Sequence, residues 1–291
     1  MGKRLIADTL PALQNQFENM IITVNLHKTF CYTAGKTFDA TKPSVVFIHG
    51  VLNDHSVWIL QSRYMANHGW NVLAIDLPGH CKSEGAAPES VEEAAAFIAA
   101  LLDAAGIAKA ALVGHSWGSL IALEVASKLK ERITHLALVG TAFPMKVSPA
   151  LLESSLNNPM AALKMINVFS RSTLSPPPSA LGPGTWVYGA SMALGRRVLA
   201  SNAKFNVFHR GFKACNDYSN GGVAISQVTC PILFLLGAED QMTQAKAAQL
   251  LIDQARSNHK NVKVVSLAVG HHQMTEAPEE TLIAIKSFLQ S

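Results

Sequence analysis

From about residue 44 the chain alternates short apolar, β-branched runs with longer stretches of helical periodicity. Ser44–Ile48 is continuously apolar and stops at His49-Gly50, the pattern of a strand covered on both faces. Val72–Ile75 repeats it and ends in Asp76-Leu77-Pro78-Gly79, a strong turn signal. Ser90-Val91-Glu92-Glu93 reads as a capping box opening a helix over 94–105, which Gly106 closes. A strand over 110–113, a helix over 119–127 and a strand over 135–139 follow. The rhythm then breaks. Between Pro144 and Val228 no strand pattern occurs; helical patches such as 159–169 alternate with a Pro/Gly stretch, Ser175–Gly184. Alternation resumes with a strand at 231–236, a helix over 243–255, a strand over 262–267 and a last helix over 280–289.

Strands alternating with helices predict an α/β fold, a mostly parallel, doubly wound sheet with helices on both faces. The expected core comprises residues 1–143 and 229–291, with 144–228 inserted as a helical cap, and Ile21–Tyr32 adding an antiparallel edge. Composition narrows the classes. Of 291 residues, 49% are hydrophobic and 15% charged, enough apolar material for a large core. The net charge of +4 comes without any Lys/Arg-rich run, so no nucleic-acid partner is expected. No apolar run nears the roughly 18–20 residues of a membrane span, and Asp8, Pro11 and Gln14 interrupt any signal-peptide core. Cys31, Cys81, Cys215 and Cys230 form neither a C-x-x-C pair nor a disulfide-like pattern, which points to a cytoplasmic setting.

The densest chemical signal is Gly114-His115-Ser116-Trp117-Gly118, a G-x-S-x-G sequence placed between a strand and a helix. A sharp strand-to-helix turn presents the Ser116 hydroxyl at a helix N-terminus, where developing negative charge is favoured, and flanking glycines admit neighbouring backbone. A serine hydroxyl needs an adjacent base. Candidates downstream are Glu239 or Asp240 after the strand at 231–236, and His271 or His272 after the strand at 262–267. Histidine spacing matches no zinc motif, and no glycine-rich phosphate loop occurs, so neither a metal nor an organic cofactor is expected.

Four blocks in this order resemble the α/β-hydrolase superfamily: Phe47-Ile48-His49-Gly50; Asp76-Leu77-Pro78-Gly79-His80 with Ser83; the Ser116 elbow; and Gly237-Ala238-Glu239-Asp240 with Gly270-His271, Glu276 and Pro278. Cys81 departs from the family's usual glycine. The resemblance implies the α/β-hydrolase fold with a cap and a triad of Ser116, His271 and Asp240. It also implies oxyanion-hole N–H groups from Val51 and Trp117. It favours Asp240 over Glu239 and His271 over His272 by spacing. His49 and His80 are read as turn-supporting residues, and His115 as shaping the surroundings of the elbow. Serine at the elbow argues against the epoxide-hydrolase and dehalogenase branches, where aspartate stands. The expected activity is cleavage of a carboxylic ester or related acyl bond through an acyl-enzyme. The alternatives are a cofactor-free lyase or oxygenase driven by the His–Asp pair, and a non-catalytic ligand receptor.

Charge distribution bears on the substrate. The segment 144–228 holds eight Lys/Arg against two Asp/Glu, a net +6 that leaves −2 for the remainder. The same segment is rich in large apolar groups, among them Met165, Phe169, Trp186 and Phe208. One reading is a solvated basic face over residues that pack the insertion down. The sharper one is a lid, hinged at Ser175–Gly184, that accepts a small-molecule ester with an apolar portion. Arg196 and Arg197 on its rim would then draw in an anionic group.

Overall fold

A computed structural model of the protein describes residues 20–39, 41–172, 187–258 and 261–291. The Ser175–Gly184 stretch and Trp186 lie outside the described residues. Eight strands form one sheet in the order β1-β2-β4-β3-β5-β6-β7-β8. In chain order they are β1 (Met20–Val24), β2 (His27–Tyr32), β3 (Ser44–Ile48), β4 (Asn71–Ile75), β5 (Ala110–His115), β6 (Ile133–Val139), β7 (Ile232–Gly237) and β8 (Val262–Leu267).

Strands β1 and β2 form the expected antiparallel edge, and β2 runs antiparallel to β4. Their hairpin turns at Asn25 and Leu26, both at positive φ (48° and 70°), as a two-residue turn matching strand twist requires. All other neighbours are parallel. The continuous apolar runs read correctly: every residue of β3, β4, β5 and β7 is buried.

The described α-helices are α1 (Ile59–Asn67), α2 (Val91–Ala104), α3 (Trp117–Leu129), α4 (Pro149–Asn157), α5 (Pro159–Phe169), α6 (Val187–Ala200), α7 (Val207–Asp217), α8 (Gly221–Gln227), α9 (Gln249–Ser257), α10 (Gln273–Glu276) and α11 (Pro278–Leu289). The capping signal at Ser90 holds, its Oγ accepting from the Glu93 amide at the start of α2. The helix expected over 243–255 begins instead as a 3-10 turn at Ala245 and becomes α9 only at Gln249. The Thr243 amide and hydroxyl are committed to Asp240, which holds the chain off the helical path.

Two apolar layers sandwich the sheet. Val91, Ile98, Leu120, Ile121, Ile225 and Leu251 belong to one, Trp58, Met65, Ile285 and Phe288 to the other. Helices α4–α7 gather round a separate cluster including Leu163, Val198 and Phe208. Helix α8, though it lies within 144–228, packs with α3 and α9 through Ala224 and Ile225. Among the described residues no helix is long and apolar enough to cross a membrane. Cys31, Cys81 and Cys215 are free thiols.

Because β3, β5, β7 and β8 are parallel, the segments that follow them emerge at one edge of the sheet. That edge is where ligands bind in open α/β sheets.

Candidate active site

Ser116 sits between β5 and α3 with φ 53° and ψ −119°, a conformation that costs an L-residue about 1–3 kcal/mol. The surroundings impose it. Its amide donates to Val139 O on β6 (2.9 Å), and its carbonyl accepts from the Ser119 amide (2.8 Å) and the Ser119 hydroxyl. The flanking glycines are needed for space rather than for unusual φ. A Cβ on Gly114 would overlap Gly118 O, and one on Gly118 would overlap Ile48 O. Only bare backbone lets β3, β5 and α3 approach so closely.

On the neighbouring strand ends, His271 Nδ1 lies 2.8 Å from Asp240 Oδ2 with both side chains buried. Asp240 Oδ1 accepts from the Met242 and Thr243 amides, each at 2.8 Å. The Thr243 hydroxyl stands 2.7 Å from Asp240 Oδ2, 3.0 Å from His271 Nδ1 and 2.9 Å from Gly140 O. Burial works against the Asp240 charge, yet His271 and the Thr243 donors outweigh it and hold the carboxyl below its ordinary range. Of the paired candidates, then, the structure brings Asp240 to His271. Glu239 instead accepts from the Ser172 hydroxyl, and the His272 ring faces Arg171 and His115. Ser116 shares a cavity wall with His271, but among the described hydrogen bonds none joins its hydroxyl to the ring. Such contacts often tighten only when substrate is present.

The loop bearing His271 is clamped by Glu276, whose buried carboxylate accepts from the Gly270 (3.0 Å), His272 (3.0 Å) and Ser172 (2.9 Å) amides. The His271 amide in turn donates to Ser170 O at 3.0 Å. Residues 170–172, at the end of α5, are thereby docked onto the loop. Sequence reasoning saw Glu276 only as a spacing landmark and did not single out Thr243.

His49 Nδ1 donates to Gly50 O (2.8 Å), and its Nε2 accepts from the Leu77 amide (3.1 Å). His115 Nε2 donates to His271 O at 2.8 Å. Gly50 abuts the elbow so tightly that a Cβ there would come within 3.1 Å of Ser116 Cβ, which brings Val51 beside the serine. Trp117 is the first residue of α3, where an amide has no intrahelical acceptor.

Burial pushes both His80 and His115 down to about 3, with nearby His49 and His271 respectively adding to the effect. Both rings are neutral in the folded protein, whereas in the unfolded chain they protonate near 6.5. Between pH 6.5 and 3 the unfolded state therefore binds more protons, and stability falls as pH falls. Each ring contributes up to about 1.4 kcal/mol per pH unit in that window. Urea midpoints are expected to drop steadily from pH 6 to pH 4; a flat profile would contradict the neutral buried rings.

Cys81, at the family's glycine position, has φ 43°, a left-handed conformation that explains why glycine is usual there. Its amide donates to Ser201 Oγ and its thiol to Asp54 Oδ2, and burial followed by the Asp54 and Asp76 charges pushes the thiol up to about 12. It is a protonated, structural thiol.

Among the described residues one group of side chains has the composition of a cation site: Asp54, His55 and Asp76, with ligand atoms within 4.8 Å of one another. Every carboxylate oxygen in it already accepts. Asp76 takes the His55 amide and ring and the Lys82 amide; Asp54 takes the Ser56 amide and hydroxyl, Cys81 and Arg197.

Two cavities meet at Ser116 and His271, of about 510 and 260 Å³, and share Val51, Phe212 and Met242. Helices α5 and α6 supply much of the larger one, and Met145, Leu151, Met165 and Phe169 line the smaller. The two arginines expected on a common rim part company. Arg197 lines the larger cavity but is ion-paired with Asp54 at 2.6 Å, while Arg196 lines a different groove beside Lys204 and Phe205. Arg171, which the sequence did not single out, lines the larger cavity with Ser116 and His271.

Residues 43–176 match the family described as alpha/beta hydrolase fold. A stretch of 99 residues is 36% identical to the dihydrolipoyllysine-residue acetyltransferase component of the acetoin cleaving system of Pseudomonas putida. That match covers 34% of this chain and 26% of the other, so the chain spans about a quarter of this curated relative. Among solved structures, an enol-lactonase from Burkholderia xenovorans superposes with a TM-score of 0.78 at 20% identity, over 94% of this chain and 100% of that one. An esterase from Exiguobacterium antarcticum does so with 0.77 at 16% identity, over 94% and 100%. At such identities the likeness is one of fold.

Proposed function

We propose that this chain, which has the α/β-hydrolase fold, is a serine hydrolase that cleaves a carboxylic ester, or a related acyl bond, through an acyl-enzyme. The reading is carried by one observation: the strained Ser116 elbow and the buried Asp240–His271 pair open on the same cavity. The esterase and lactonase with the same architecture support it as analogues.

In this reading His271 donates its Nδ1 proton to Asp240, so Nε2 carries the lone pair and takes the proton of Ser116 as Oγ attacks the acyl carbon. The carbonyl oxygen becomes an oxyanion held by the Val51 and Trp117 amides, each worth about 3–4 kcal/mol in the transition state. The imidazolium returns its proton to the departing alcohol, leaving an acyl-serine. Water then attacks that ester with the same ring as base, releasing the acid and restoring Ser116. Helices α4–α7 form the lid, and α8 belongs to the core layer on which the lid stands.

A fluorophosphonate tests the reading directly, because it reports an activated serine whatever the natural substrate. Intact-mass spectrometry is expected to show one adduct, mapping to Ser116 and lost in His271→Ala. A folded protein that stays unlabelled at millimolar reagent overturns it.

A further inference from the structure

Arg171 presents a problem of charge. Its side chain is 6% exposed and forms part of the larger cavity's wall, together with Ser116, His271 and His272. Nη1 donates to Thr275 Oγ1 at 2.6 Å and Nη2 to Ser191 Oγ at 2.5 Å, while Nε has no acceptor. Hydroxyls carry no charge, and a buried guanidinium ordinarily has an anion beside it. Among the described residues none is paired with it. The carboxylate that acts on it electrostatically, Glu276, spends its oxygens on three backbone amides and makes no ion pair with it. The undescribed stretch that follows, residues 173–186, contains neither Asp nor Glu. Among the described residues neither cavity has an acidic residue in its wall. Of the other cations there, Arg197 is matched by Asp54, and Lys146 donates to Asn216 O from an exposed position.

We infer that Arg171 is a specificity residue whose missing partner is a carboxylate on the substrate itself. This rests on the ester-hydrolase reading. Guanidinium offers five donors in a planar fork, of which two are engaged, and Ser191 and Thr275 flank it in the cavity wall. The substrate is thus an amphiphilic ester: its carboxylate lies against Arg171 in the larger cavity, and its apolar part reaches past Ser116 into the smaller, Met165- and Phe169-lined one. The basic excess of residues 144–228 is resolved into one functional cation and several solvated or paired ones.

The test compares matched pairs of aryl esters that differ only in a terminal carboxylate against a methyl group, one pair carrying it on the acyl side and one on the leaving-group side. For the wild-type protein, kcat/KM for the anionic member of one pair is expected to exceed that of the neutral member by tenfold or more. Arg171→Gln should lower that ratio at least tenfold and Arg171→Lys should restore part of it. A merely structural role would depress both members together and leave the ratio where it was. Should Arg171→Gln not fold, inhibition of the wild-type protein by benzoate against benzamide answers the same question. Equal ratios in all three proteins, or equal inhibition by acid and amide, overturn the inference. If no ester is turned over at all, calorimetric titration of Ser116→Ala with the same esters separates the two ideas. Preferential binding of the acid then leaves the Arg171 assignment standing and removes only the hydrolase reading.

Discussion

Replacing Ser116 with alanine is expected to lower kcat for any ester by about 10⁴–10⁶ while leaving the thermal midpoint close to that of the wild type. On the proposed ester-hydrolase mechanism the size follows from the cooperation of the three groups: without Oγ no acyl-enzyme would form, and His271 would have nothing to deprotonate but water. The fold should persist, because the elbow is held by backbone bonds to Val139 O and from Ser119, none of which uses the Ser116 side chain. Relief of a strained serine does not follow, since alanine must adopt the same positive φ of 53°. Steady-state rates with an activated aryl ester, beside a urea titration of both proteins, decide the matter. A variant that keeps more than about a tenth of the wild-type kcat would show that Ser116 merely contacts substrate, and would favour proton transfer by the Asp240–His271 pair.

Asp240→Asn is expected to cost about 10⁴ in kcat, and Glu239→Gln less than about tenfold. The difference lies in the hydrogen bonds each carboxylate accepts. Asp240 Oδ1 is fixed by the Met242 and Thr243 amides, so an asparagine keeps its oxygen there and turns its NH₂ toward Nδ1 of His271. An NH₂ donates, which forces Nδ1 to accept and moves the ring proton to Nε2. The base is then blocked at the atom that should take the serine proton. Glu239 touches the Ser172 hydroxyl and not the ring, so its amide analogue leaves the imidazole tautomer alone. Rates for both variants, with imidazole proton shifts from NMR to identify the tautomer, test this. The opposite ranking would mean that the carboxylates had been assigned the wrong way round.

Much of this is legible in the amino-acid sequence, for reasons that are local. A strand buried on both faces must be continuously apolar, so β3, β4, β5 and β7 are readable from their own residues. Gly114 and Gly118 announce a close approach of backbones, and the resemblance supplies the order of serine, carboxylate and histidine. Asp240 lies on the border of what local signals can resolve. It accepts from the amides at 242 and 243 as a helix cap does, and from His271 as well.

What the tertiary structure decided involves partners far apart in sequence. Asp54 claims Arg197 across 143 positions and so removes it from the anion-drawing rim that local charge counting suggested. Glu276 reaches back 104 positions to the Ser172 amide, and that clamp, with His271 N–H on Ser170 O, docks the end of α5 against the His271 loop and brings Arg171 into the cavity wall. Periodicity shows helical patches within 144–228, but it cannot tell that α8 joins the core while α4–α7 enclose a cluster of their own. Amphipathic patterns specify that a face is to be buried without naming what buries it. Charge counts likewise specify a surplus without saying which cation loses its water and which keeps a counter-ion. Those choices are made by the packing of the whole chain, where the desolvation of one guanidinium outweighs the sum of several solvated charges.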